Sequence, residues 1–264
     1  MQVLFRAFLA IYLAHLLTDF VLQTHRLVEH KRRGKAAAFG LHGIIHYLSA
    51  VAVTGFVLRG SFFSLRTHLV IAALTVIHLL IDLSKIKLVL KYPACDGSIA
   101  YVSDQFLHFL TVCLAACMLA PGAPLREFIA ALQNVRAIPN RFLAVPVIYV
   151  AVVFGGGYLI RLLVRSLAEG VKSHSPEKAN EQLQNAGLYI GWLERFLVVT
   201  ALLVQSPAAV GLILTAKSIA RYPEFKSEHF AEYFLIGTLL SISMALLGGV
   251  VLAKLIFGQV HFSG

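Results

Sequence analysis

Long apolar runs, each broken by a few polar positions at helical spacing, dominate the chain. Eight can be marked, at about 3–22, 38–57, 69–90, 99–120, 142–164, 187–205, 207–218 and 230–257. All but the seventh are long enough for an α-helix to cross a bilayer, which takes roughly 17–25 residues. The seventh is short and follows Pro207, so it reads as a half-helix or re-entrant segment packed against protein. Gly155, Gly156 and Gly157 interrupt the fifth. The first run has no charged leader, carries polar residues in its middle and precedes no small-residue cleavage site. It is expected to be a retained helix rather than a cleaved signal. The pattern predicts an all-α, polytopic membrane protein of seven or eight transmembrane helices.

Three stretches follow from the same pattern. Residues 1–120 form a four-helix membrane domain. Residues 121–186 combine a linker (Pro121, Pro124, Pro139 and a short surface helix at REFIAALQN), the fifth membrane helix and an exposed hydrophilic loop at 168–186. Residues 187–264 supply the C-terminal membrane helices.

Composition agrees. The 264 residues are 58% hydrophobic and 14% charged, against roughly 45–50% and 25% in soluble domains. The net charge of +10 does not point to nucleic acid, because Lys and Arg cluster in short segments between apolar runs. Anionic lipid headgroups are the expected partners. Arg26, Lys31, Arg32, Arg33 and Lys35 follow the first run. Alternate loops then hold Lys85, Lys87 and Lys91; Arg161, Arg165, Lys172 and Lys178; and Lys217, Arg221 and Lys226. The positive-inside rule puts these loops in the cytoplasm and the N-terminus outside, in a plasma or inner membrane. Cys95, Cys113 and Cys117 form neither a disulfide framework nor a thiolate metal spacing.

The polar positions inside the first four runs carry the chemistry. They are His15 and Asp19, His42 and His46, His78 and Asp82, and Asp104 and His108. Each pair is spaced i,i+4, which puts both side chains on one helix face. Only four aspartates occur in the chain, and three have a histidine four residues away. Random placement of the 11 histidines would give each aspartate such a neighbour about 8% of the time, so chance is a poor explanation. All four pairs fall in the halves of their spans nearest the basic loops, so in a bundle they meet at one level.

An aspartate deep in a membrane helix costs about 2.5–3.5 kcal/mol, and three approach 10 kcal/mol. A bound metal returns roughly 10–16 kcal/mol. The eight residues are therefore candidate ligands for one or two divalent transition ions. Mixed imidazole and carboxylate donors suit Zn, Fe or Mn better than Ca or Mg. Three carboxylates with one dication keep a net charge of −1, and with two dications reach +1, which would attract a phosphate. Asp19 or Asp104 is the candidate base, and Gln23, one turn beyond Asp19, a candidate substrate contact. The same residues also fit a proton relay or ion path, or polar packing in which Asp82 pairs with Lys85.

The segments AHLLTDFVLQ, LHGIIHYL, IHLLIDLSK and DQFLHFL resemble an uncharacterised bacterial inner-membrane family, the domain of unknown function numbered 3307, over about residues 8–120. GWLERFLVVTALL, PAAVGLILTAKSIARY and AEYFLIGTLLS look like the C-terminal region of its longer members. The resemblance implies no settled activity. In style the pattern is similar to that of membrane proteins regarded as metal-dependent hydrolases.

In the second half, Glu194 and Arg195 sit inside the sixth run, and Lys217 and Arg221 end the seventh. Lys217 and Arg221 can snorkel to the interface while Glu194 or Glu232 neutralises Arg195. Alternatively, Arg195, Lys217 and Arg221 grip an anionic headgroup. The sequence thus predicts a membrane metalloprotein, with metal-dependent hydrolysis of a lipid-linked or phosphorylated substrate at the cytoplasmic leaflet as its chemistry. The alternatives are an ion- or proton-coupled transporter and a non-catalytic assembly or regulatory protein. One HxxxH and no adjacent HH pair count against di-iron oxygenase chemistry.

Overall fold

The computed structural model describes residues 2–59, 64–120, 141–165, 177–223 and 228–258. The surface helix expected at REFIAALQN lies outside them. Every regular element among the described residues is helical. They are α1 (Gln2–Leu17), α2 (His25–Arg32), α3 (Ala36–Val57), α4 (Leu65–Lys91), α5 (Ser98–Leu119), α6 (Ala144–Val150), α7 (Gly156–Leu163), α8 (Glu177–Leu203), α9 (Ala208–Arg221) and α10 (Glu228–Phe257). Among the described residues, six helical segments are long and apolar enough to cross a membrane: Val3–Leu22, Ala36–Val57, Leu65–Lys91, Ser98–Leu119, Arg141–Leu163 and Ala231–Phe257. The chain is a helical membrane protein. The two other expected runs are α8, whose first half is polar, and α9, which has 14 residues. The hydrophilic stretch at 168–186 is not loop throughout, because α8 begins at Glu177. Glu177, Lys178, Ala179, Glu181 and Gln182 are good helix formers.

The chain divides into two compact units, Met1–Val150 and Ala151–Gly264. In the first, α1 and α4 each pack on both α3 and α5, closing a four-helix ring. One end of this ring is apolar. Ile11, Val70, Leu74, Val112 and Ala115 form one cluster, Leu4, Ala7, Ala116 and Ala120 a second, and Ala14, Ala50, Val51 and Ile71 a third. The many alanines let the helices approach closely, and membrane helices rely on such packing because lipid supplies no hydrophobic drive between them.

Two local features shape the other end. First, α1 does not run on as an α-helix: Thr18–Leu22 form a π-helical turn, and Thr18 Oγ1 donates back to the Ala14 carbonyl at 2.8 Å. Second, the basic segment after it folds into α2. Thr24 caps this helix by accepting from the Leu27 N–H at 3.4 Å. Gly34, at φ +71°, then turns the chain into α3, a left-handed conformation that glycine adopts without a Cβ penalty.

In the second unit, α8 packs along α10 and beside α9, and a second π turn (Ala151–Gly155) precedes α7. The glycines expected to interrupt the fifth run permit close approaches. A Cβ on Gly157 would collide with the Arg195 guanidinium, and one on Gly156 with Met244 Sδ.

Candidate metal centre

The polar end of the four-helix ring holds all eight paired residues. His15, His42, His46, His78 and His108 are each at most 1% exposed, and Asp82 and Asp104 are buried with them. The spacing within each helix is not what brings the atoms closest. His15 Nδ1 lies 3.8 Å from Asp19 Oδ2, His78 Nε2 4.0 Å from Asp82 Oδ2, and His108 Nε2 3.6 Å from Asp104 Oδ1. The contacts between helices are as tight or tighter. Asp19 Oδ1 is 3.4 Å from both His42 Nε2 and His78 Nε2, and those two nitrogens are 2.9 Å apart. The π turn accounts for this, because its wider winding moves Asp19 off the plain α-helical register of His15.

Asp82 links the two sides of the cluster. Its Oδ2 faces His42 Nε2 at 3.5 Å, and its Oδ1 faces His108 Nε2 at 3.5 Å. His78 Nδ1 meets His108 Nδ1 at 3.1 Å. Donor atoms of Asp19, His78, Asp82 and His108 lie within 4.8 Å of one another, as do those of His15, His78 and His108. Either group could hold a metal ion. His46 takes a different part: its Nδ1 bonds Thr75 Oγ1 at 3.0 Å and its ring stacks on that of His78, 4.3 Å between centroids. It fixes the orientation of His78.

Two cations reach into the cluster, Lys31 against expectation and Lys85 with a different partner from the one expected. Lys31, expected in a solvated basic loop, is only 4% exposed. It donates from Nζ to Asp82 Oδ2 at 2.6 Å and to Gln23 Oε1 at 2.7 Å. Its signal was Leu27 four residues earlier, which puts an apolar residue and Lys31 on one buried face of α2. Lys85 donates to Asp104 Oδ2 at 2.9 Å, not to Asp82 as the packing alternative supposed, and Gln105 reaches the same oxygen at 3.2 Å. Each of these two carboxylates therefore has one oxygen held by an ammonium and the other turned towards His108. Gln23 stands at the edge of the cluster and touches it through Lys31.

The cations expected to grip a headgroup belong to the second unit. Arg195 donates from Nε and from a terminal nitrogen to the Val153 carbonyl, at 3.1 and 2.9 Å, and to Ser241 Oγ at 3.3 Å. Lys217, rather than Arg195, neutralises Glu194, at 2.6 Å. Arg221 is the last residue of α9 and is half-buried.

Residues 7–135 match a family described as "Protein of unknown function (DUF3307)". The match covers the four-helix ring and its eight residues and stops short of the C-terminal segments. No curated protein and no solved structure matches the chain.

Proposed function

We propose that this chain, which belongs through residues 7–135 to the DUF3307 family, is an integral membrane metalloprotein that hydrolyses a lipid-linked or phosphorylated substrate at the cytoplasmic leaflet of the inner membrane. One observation carries the metal reading. Asp19 Oδ1, Asp104 Oδ1 and His108 Nε2 are buried without a hydrogen-bond partner among the described residues, yet charged or basic atoms lie 3.4–3.6 Å away. At those separations any hydrogen bond is long and weak. They are the separations of two ligands on one ion: bonds of about 2.1 Å put tetrahedral ligands roughly 3.4 Å apart and right-angled ones roughly 3.0 Å. Buried carboxylate oxygens left without a partner would otherwise be costly in hydrocarbon.

Lys31 and Lys85 support the reading as outer partners that orient ligand carboxylates. They also change the charge: three carboxylates against two ammoniums leave −1, so a single dication suffices to make the centre cationic and attractive to a phosphate. Nitrogen and carboxylate donors favour Zn, then Fe or Mn. Bound there, such an ion would polarise a phosphoryl or carbonyl oxygen and lower the pKa of water. Asp19 or Asp104 would take the proton, and Gln23 with Lys31 would face the substrate. The three apolar clusters close the ring on its far side, which favours a site open to one leaflet over a path across the bilayer.

The test of the hydrolase is phosphate release from lipid phosphate and diphosphate esters by the purified protein. Release that needs added Zn or Mn, and that chelator, Asp19→Asn or Asp104→Asn abolishes, is the expected result. Metal-loaded protein that releases nothing from any of them removes the hydrolase and leaves the metalloprotein. A second reading, a proton-coupled carrier, is favoured by the contacts running from His42 through both nitrogens of His78 to His108 at 2.9 and 3.1 Å. Proton flux through liposomes bearing the protein would support it.

A further inference from the structure

A separate cavity of about 330 Å³ lies in the second unit, between α8 and α9. Ile190, Leu193 and Leu197 of α8 and Leu212, Ile213 and Ala216 of α9 make its apolar walls, and its polar residues are Glu194 and Lys217. The spacing of Ile190, Leu193, Glu194 and Leu197 keeps all four on one face of α8.

Glu194 is the anomaly. It is 4% exposed, and its Oε2 takes the Lys217 ammonium at 2.6 Å. Its Oε1 is buried and has no hydrogen-bond partner among the described residues. A carboxylate only accepts hydrogen bonds, so the missing partner is a donor. The rest of that partner is apolar, because the walls are. The groove is of the size of small-ligand sites, roughly 300–1,000 Å³.

We propose that this groove binds a phospholipid with a primary-amine headgroup, phosphatidylethanolamine being the simplest. The headgroup ammonium donates to Glu194 Oε1. The lipid phosphate accepts from Lys217, whose ammonium also lies 5.3 Å from the centre of the Phe234 ring. One acyl chain runs between Leu197 and Leu212. Charge complementarity selects this class. An anionic headgroup would meet the Glu194 carboxylate, and a quaternary choline headgroup has no N–H to give Oε1. The site does not depend on the metal reading.

Trp192, the only tryptophan, packs against Phe154 on the side of α8 away from Glu194, so Trp192→Phe/Ile213→Trp, which moves the indole into the groove wall, supplies the probe. The full-length protein in micelles is titrated with ethanolamine, choline and glycerol phospholipids carrying brominated acyl chains, which quench tryptophan. Half-maximal quenching by the ethanolamine lipid is expected at a roughly fivefold or more lower lipid fraction than by the choline lipid, with the glycerol lipid no better than choline. Glu194→Gln, with folding checked by thermal melting, is expected to erase that preference. Ala216→Phe, which fills the groove and leaves the ion pair, should erase it too. Equal quenching by ethanolamine and choline lipids with Glu194 and Ala216 in place would mean ordinary boundary lipid and would overturn the proposal. So would a glycerol-lipid preference, or an ethanolamine preference that survives Ala216→Phe.

Discussion

Replacing Lys31 by Met separates the two tasks that its ammonium performs. Met keeps the length and the apolar stem but removes the charge, so packing of α2 is little disturbed. Lys31 holds Asp82 Oδ2 at 2.6 Å and Gln23 Oε1 at 2.7 Å, and it is almost fully buried. As an outer partner it fixes which way the Asp82 carboxylate presents Oδ1 to His108. Losing such a partner lowers metal affinity about 10–100-fold, or roughly 1.4–2.7 kcal/mol. Without metal, the mutation strands Asp82, and breaking a buried pair costs about 3–5 kcal/mol. With metal bound, the ion itself compensates Asp82, so the loss is smaller. The expectation is a marked fall in the apo-protein's melting temperature and a lesser fall with Zn, read by thermal unfolding with metal Kd from competition with a chelating dye. Lys31→Met/Asp82→Leu should recover part of the apo stability while binding metal no better than Lys31→Met. Tighter metal binding by Lys31→Met would show instead that the ammonium competes with the metal for Asp82. Unchanged affinity and unchanged apo stability would show that the ammonium neither orients Asp82 nor compensates its charge.

Other outcomes follow from the same geometry. His78→Ala should cost more bound metal than His15→Ala, by mass spectrometry, because His78 contributes to both donor groups and His15 to one. Thr75→Val leaves His46 without its hydrogen bond and should loosen the stack on His78, lowering metal affinity severalfold without removing a ligand. Gly157→Ala pushes the Arg195 guanidinium off the Val153 carbonyl and should destabilise the protein by about 1–3 kcal/mol in thermal melts. Cys95 is exposed beside Asp96, which pairs with Arg32 of α2 at 3.5 Å. A membrane-impermeant maleimide should therefore label it only after cells are permeabilised. Labelling of intact cells would invert the orientation that the basic loops imply.

The four pairs and their common depth were legible in the sequence because membrane helices tolerate so few ionisable residues that each one stands out. The ring of α1, α3, α4 and α5 was legible for the same reason, since four short-range patterns shared one polar level. The closer contacts were not. Asp19 meets His42 and His78 through a π turn that no residue type marks. Lys31 meets Asp82 across 51 residues, a pairing that local spacing cannot predict. Basic residues after a span read as solvated, and only the amphipathic face of α2 distinguishes Lys31 from Arg32 and Arg33. The polar start of α8 shows the converse: hydrophilic composition marks exposure, while helix propensity decides the backbone.

If the His and Asp atoms converge on an ion, the purified protein carries it. Protein purified in detergent without added chelator, and its His42→Ala/His78→Ala variant, should be analysed for transition metals by mass spectrometry. One or two equivalents of Zn, Fe or Mn in the wild type, lost from a variant that still folds, is the predicted result. A folded wild type that carries no stoichiometric metal, and takes none up on dialysis against these ions, would show that the cluster is not a metal centre.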